Sequence, residues 1–270
     1  KKNNFQKTII QIVAPTVWAW RSGRAKKFSK VFDEIFTLFN FEKKFFENEG
    51  LKTTFIGHPI STINNTNYSY INEKNLIAFL PGSRENEINR LFPYFKILHD
   101  YLLNNNIRKY KIFIPTLPHL IQKLTKLTNE WQLETIISDN TQRNEEIYKN
   151  VFISITCSGT ASLEIAKRLI PQIVLYKINF FTFLIFSFFI KIRFANILNI
   201  LNNQMIIKEV VNKNLNKKNL LRAFVTLLEN KKFRNKQISE VKKSLVEIQN
   251  IHNPYEICEK RINEIISTTI

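Results

Sequence analysis

Two kinds of apolar pattern alternate along this chain. Short unbroken pulses such as Leu76-Ile77-Ala78-Phe79-Leu80 predict strands buried on both faces of a sheet. Longer stretches with apolar residues three or four apart, such as Ile88, Leu91, Phe92, Phe95 and Leu98, predict helices with one buried stripe. Over the first quarter this places strands at 8–13, 34–39 and 53–56, with helices at 21–30 and 41–48, the second stopped by Gly50. That order, β-α-β-α-β, is half of a doubly wound sheet. Residues 61–75 are rich in Asn, Thr, Ser and Tyr with no apolar period, and read as a linker. The rhythm then restarts, with strands at 76–80, 111–114, 133–137, 151–155 and 172–176, the last expected, and helices from 84, at 119–127, at 142–148 and one opening within 156–166. From Asn216 the pattern is three helices, with Phe233, Ile238, Val241, Leu245 and Ile248 forming one buried stripe. The expected organisation is therefore a first α/β domain over 1–60, a linker over 61–75 and a second α/β domain with C-terminal helices over 76–270.

Composition narrows this picture little. With 5 Gly and 8 Pro in 270 residues the chain favours regular elements over disorder. Lys and Arg outnumber Asp and Glu by 40 to 22, and the resulting +18 suits nucleic acid, anionic lipid or a phosphorylated substrate. The lysines are spread along the chain and form no basic block, so part of this charge reads as compositional drift, and no RNP, KH or helix-turn-helix signature supports nucleic-acid binding. Cys157 and Cys258 are far apart, and His58, His99, His119 and His252 are scattered, so the sequence contains neither a disulfide framework nor a metal-ligand spacing. No cofactor is expected. Residues 180–190, FFTFLIFSFFI, are apolar on every face and flanked by Lys191 and Arg193, yet fall short of the roughly 20 residues a membrane span needs. Two readings stay open for this run, burial in the protein or insertion into a membrane interface.

Candidate chemistry sits where strands hand over to helices. After 76–80 the chain reads Pro81-Gly82-Ser83-Arg84 and then a helix. Gly82 permits close backbone approach, Ser83 is a capping residue and Arg84 carries a planar fork of donors, so the turn suits an anion such as phosphate; a plain turn with a solvated arginine is the alternative. After 151–155 the residues Thr156 to Ala166 form a second small, Gly-containing turn opening a helix, with Ser158, Gly159 and Thr160 as phosphate donors and Glu164 one turn inside, where a carboxylate can accept from both hydroxyls of a ribose. Ser158 lacks the G-x-S-x-G elbow of a nucleophile and has no evident His partner. Near the start, Trp18, Trp20 and Arg21 follow the first strand and either line a site or pack at a domain edge.

Taken together and in order, Trp18-Ala19-Trp20-Arg21, Phe41-Glu42, Phe55-Ile56-Gly57-His58-Pro59, Leu80-Pro81-Gly82-Ser83-Arg84 with Glu87, the Ser158 to Glu164 run SGTASLE, Asn199-Ile200-Leu201 and Lys208-Glu209 resemble the lipid-A-disaccharide synthase family across essentially the whole chain. The resemblance implies a GT-B-like glycosyltransferase with two Rossmann-like domains, the first incomplete here. It implies condensation of UDP-2,3-diacylglucosamine with 2,3-diacylglucosamine 1-phosphate, inverting and without a metal, by a cytoplasmic enzyme peripheral to the inner membrane. It further implies that Gly82, Ser83, Arg84 and the Ser158-Gly159-Thr160 turn hold the diphosphate and Glu164 the ribose. Asn199 and Glu209 would lie in the nucleotide-sugar neighbourhood, and Glu87, Trp18 and Arg21 would belong to the substrate-binding set. No nucleic-acid partner is expected. Asn40 and Asn212 stand where the family usually has Pro and Gln. The general base expected from the family belongs to an N-terminal segment not seen before Lys1, so the chain reads as truncated and inactive alone. Alternatives are another GT-B transferase of UDP-sugars or a basic nucleic-acid-binding α/β module.

Overall fold

The computed structural model describes residues 8–17, 23–63, 74–157, 159–177, 193–248 and 253–269. The chain forms two compact units. The first contains β1 (Ile10–Ile12), α1 (Arg24–Ser29), β2 (Glu34–Thr37), α2 (Lys43–Glu47) and β3 (Lys52–Phe55). Its strands are parallel in the order β1-β2-β3, and Val17, Ala25, Ile35, Phe46 and Leu51 form its core. Glu42 is buried because its carboxylate accepts from the Leu38 and Phe39 N–H groups, each at 3.1 Å, which fixes the entry to α2. The Phe41-Glu42 pair is thus a turn brace in this unit.

The second unit follows the expected alternation: β4 (Leu76–Leu80), α3 (Glu85–Asn104), β5 (Lys111–Pro115), α4 (Ile121–Thr128), β6 (Thr135–Ser138), α5 (Thr141–Tyr148), β7 (Val151–Cys157), α6 (Thr160–Lys167) and β8 (Gln172–Tyr176). Beyond these come α7 (Ile197–Leu201), β9 (Lys208–Val211), α8 (Lys217–Glu229) and α9 (Lys231–Ile248), of which the residues up to Ser244 belong to this unit. Six parallel strands lie in the order β6-β5-β4-β7-β8-β9, so the winding reverses between β4 and β7. Strand periodicity decides the two faces. Ile77 and Phe79 of β4 join the core under α3 and α8, whereas Leu76, Ala78 and Leu80 join the core that holds Tyr148 and Ile165. Gln237 on α9 exchanges two bonds with the Gln172 backbone, at 2.6 and 3.0 Å, pinning that helix to the start of β8.

Two expectations change here. The strand at 172–176 is not the last: β9 pairs with β8 in register from Ile173 to Tyr176. Its Lys208-Glu209 start hides it from an apolar-pulse reading, because Glu209 is a charged residue whose burial is supported by hydrogen bonds from Ala195, Asn196 and Asn199. The chain from 245 onward also groups with the first unit, not with 76–244. Here α10 (Pro254–Thr269) brings Arg261 to Glu34 on β2, with Nε and Nη2 each 2.8 Å from a carboxylate oxygen. Of the 61–75 linker, residues 64–73 lie outside the described residues, as do Trp18, Trp20, Arg21, Ser158 and the 180–190 run. Among the described residues no helix is long and apolar enough to cross a membrane.

Candidate functional site

A cleft of about 500 Å³ opens in the second unit above the C-terminal ends of β4 to β7. An open parallel sheet creates such a crevice where its winding reverses, since the helices on either side diverge. Two strand-to-helix turns from the sequence reading meet there. In the first, Gly82 has φ +122°, and a Cβ at that position would come within 2.7 Å of Glu87 Oε2 and 2.8 Å of Glu87 Cβ. Glu87 fills this space to brace the loop: Oε2 accepts from the Ser83 N–H at 3.2 Å and Oε1 from Arg84 Nη1 at 3.1 Å. Arg84 is the N-cap residue of α3, its side chain makes no capping bond, and it is 80% exposed at the cleft. Arg84 and the start of α3 thus border the cleft together, with the Glu87 carboxylate holding the turn between them.

In the second turn, Gly159 is the N-cap of α6 with φ +141°, again without a side-chain cap, and Thr160 and Ala161 line the cleft. Uncapped helix N-termini are anion sites, because backbone donors and the helix dipole act together. Glu164 lines the wall one turn further on. Burial pushes its carboxyl above the ordinary range, Arg168 opposes that shift and Glu145 adds to it. Cys157 also reaches the cleft, but burial, with the Glu87 charge adding, raises its thiol to about 12, so it is a neutral wall and not a nucleophile.

The third side of the cleft was not foreseen. It consists of Thr116 after β5, Asp139 after β6, and Asn144, Glu145 and Tyr148 on α5, joined by Arg168 from the end of α6. Thr116 Oγ1 and Asn144 Oδ1 are buried, and among the described residues neither has a hydrogen-bond partner. Buried polar atoms left so are costly, and both line the cleft, so a bound ligand is one way to satisfy them. The available signal was faint: a polar residue follows each of two strand ends, and positions 141, 144, 145 and 148 share one helical face.

Asn199 and Glu209 come together, but not at the cleft. Asn199 donates to Glu209 Oε1 at 2.6 Å and to the Ile207 carbonyl at 2.7 Å, and accepts from the Ile206 and Ile207 N–H groups. Glu209 accepts in turn from the Ala195 and Asn196 N–H groups at 2.8 and 2.9 Å. Both are buried and shape the 195–209 segment. Asn196 carries the network onward, its Nδ2 donating to Ser162 Oγ of α6 at 2.5 Å. Trp18, Arg21 and Ser158 lie outside the described residues.

A family model described as lipid-A-disaccharide synthetase matches residues 1–261. The chain belongs to this family. It is 30% identical over 259 residues to the lipid-A-disaccharide synthase of Rickettsia bellii, covering 92% of this chain and 67% of that one. Identity to the synthase of Acinetobacter baylyi is 30% over 251 residues, covering 85% and 62%, and to that of Rhodospirillum centenum 28% over 242 residues, covering 86% and 60%. The chain thus spans between three fifths and two thirds of the length of these relatives. Solved structures of similar fold include the S. aureus MnaA–UDP co-structure (TM-score 0.56, 17% identity, 90% of this chain and 63% of that one). Acinetobacter baumannii MurG is another (TM-score 0.52, 13% identity, 93% and 65%). Identities this low speak to the fold alone, which is GT-B-like α/β.

For a synthetase-family chain, the Gly82 turn is a sensitive point. Gly82→Ala should cost about 1–3 kcal/mol, because both the positive φ and the Glu87 contact oppose a Cβ. Thermal unfolding checks it: a loss of roughly 2–4 °C per kcal/mol is expected, and an unchanged midpoint would show that the loop yields freely.

Proposed function

We propose that the second unit binds a UDP-sugar in this cleft, and that the protein acts in condensing UDP-2,3-diacylglucosamine with 2,3-diacylglucosamine 1-phosphate to give the lipid A disaccharide 1-phosphate and UDP. One observation carries the reading: two uncapped helix N-termini, each opened by a glycine at positive φ, line a single cleft at the winding reversal in a chain of this family. In this reading Gly82, Ser83 and Arg84 on one side and Ser158, Gly159 and Thr160 on the other meet the diphosphate. Glu164 accepts from the ribose hydroxyls. Charge growing on the UDP leaving group is met by these fixed donors, with inversion at the anomeric carbon and no metal required. Glu87, Asn199 and Glu209 contribute by holding backbone in place, and Trp18 and Arg21 stand as further substrate-binding candidates. Both substrates are acylated, so the protein works at the inner face of the bacterial inner membrane, with the 180–190 run as a candidate contact.

Arg84 provides the test. Hydrogen bonds to charged groups contribute about 1.5–3 kcal/mol, so Arg84→Ala should weaken UDP binding on the order of ten- to a hundredfold by calorimetry. Arg84→Lys should not restore it, since a point charge cannot make two parallel bonds to a phosphate. Stability should barely change for a side chain that is 80% exposed. Equal affinity in wild type and Arg84→Ala would remove the diphosphate assignment from this turn, and no UDP binding by the wild type would remove the whole reading.

A further inference from the structure

Arg168 sits at the C-terminal end of α6 with its side chain only 4% exposed, yet it reaches the cleft wall. Its Nε donates to Glu145 Oε2 at 3.2 Å, and its Nη2 makes a second bond to Glu145 Oε1. Nη1 donates to the Glu164 carbonyl at 2.9 Å and lies 4.0 Å from Glu164 Oε2. The guanidinium also stacks on the Tyr148 ring, 4.5 Å from its centroid. One buried cation thus joins two residues of α5, Glu145 and Tyr148, to Glu164 on α6. We propose that Arg168 is a positioning residue, its bridge between Glu145 and Glu164 holding the Glu164 side chain at the wall of the cleft, in place to accept from the vicinal hydroxyls of a ribose.

The reasoning is one of charge balance. Glu164 and Glu145 both line the cleft, with side chains 46% and 37% exposed. Two carboxylates on one wall repel each other, and the Arg168 guanidinium between them offsets that repulsion, so both can stay charged beside a ligand. The charges acting on Glu164 come from Arg168 on its own helix and from Glu145 on α5. Burial and Glu145 favour the protonated acid, and Arg168 favours the carboxylate. An ionised carboxylate accepts through both oxygens, whereas the acid must turn a donor toward one hydroxyl. Arg168 also fixes the backbone of Glu164 through its carbonyl, so removing it loosens position and ionisation together.

This inference rests on the proposed UDP site, and its test separates the two. Calorimetry is run with UDP and with inorganic pyrophosphate, across pH 5 to 8, on wild type, Arg168→Gln, Arg168→Lys and Glu145→Gln. Absence of UDP binding by the wild type would overturn the parent reading. Given wild-type binding, Arg168→Gln should lose about tenfold in UDP affinity and keep its pyrophosphate affinity, with Arg168→Lys between the two. Losing Arg168 raises the Glu164 carboxyl further, so UDP binding should fail at a higher pH on the acid side. Losing the Glu145 charge lowers it, so Glu145→Gln should shift that limb to lower pH. A purely structural role would weaken both ligands alike and would not move the limbs in opposite directions; either result overturns the proposal. If Arg168→Gln does not fold, Glu145→Gln decides alone, and an unmoved acid limb counts against the proposal.

Discussion

Glu209→Ala is expected to lower the unfolding temperature of the second unit by roughly 10 °C. The carboxylate is buried and accepts from three donors, the Ala195 and Asn196 N–H groups and Asn199 Nδ2, at 2.6 to 2.9 Å. Each buried donor left without an acceptor costs about 1–3 kcal/mol, and water entering the small space offsets part of the loss. A net cost of about 3–5 kcal/mol follows, at roughly 2–4 °C per kcal/mol for a unit of this size. UDP affinity should fall too, because the same network reaches Ser162 of α6 through Asn196. Circular dichroism melts and calorimetry on one sample measure both. A midpoint within a degree of wild type would mean that the 195–209 segment holds itself together by packing alone.

The second large effect is expected from Arg261→Ala. Glu34 is 3% exposed at its side chain, and its partners are Arg261 at 2.8 Å, the Thr54 hydroxyl at 2.5 Å and, more loosely, Lys52 at 3.6 Å. Removing the guanidinium strands a buried carboxylate, at a cost on the order of 3 kcal/mol. The pH dependence follows from the sign of the shift. Burial pushes the Glu34 carboxyl upward, but bonds from Arg261 and Thr54 and the charges of Arg261 and Lys52 outweigh it, so it titrates below its ordinary value. A carboxyl depressed by folding contributes stability above its unfolded value of about 4.3 and loses it as pH falls through the lower folded value. The stability gap between wild type and Arg261→Ala should therefore be widest near neutral pH and narrow below about pH 4. Urea melts at pH 7 and pH 3.5 read it directly. An equal gap at both would assign the effect to the arginine stem and its packing.

Much of the fold was legible because it is local. A strand buried on both faces needs an unbroken apolar pulse, and a helix on a sheet needs a stripe at 3.6 spacing, so β4, α3, β7 and α8 appear in the chain as they do in the structure. The two strand-to-helix turns at the cleft were legible for the same reason: Gly82 and Gly159 stand between a strand and a helix, and both adopt the positive φ that only glycine tolerates easily. The motifs in order also carried the family.

Other features depend on partners far away in sequence, and periodicity says nothing about those. Strand β9 begins with a lysine and a glutamate; it is a strand because its backbone pairs with β8, and Glu209 is tolerated in its buried place because its carboxylate finds donors on the 195–199 segment. Helix α10 belongs with the first unit because Arg261 meets a carboxylate 227 residues earlier. Asn199 and Glu209, taken from the motif order as neighbours of the nucleotide sugar, bond to each other and to backbone groups of the 195–207 segment, a network that no period in the sequence announces. Thr116, Asn144, Glu145 and Arg168 carry no motif, and only the winding of β4 to β7 brings them to one wall. Sequence alone determined which residues must be buried along each element and where the backbone must turn. Which charges face each other was left to the tertiary structure, because a buried ion pair is specified by two positions whose separation in the chain follows no period.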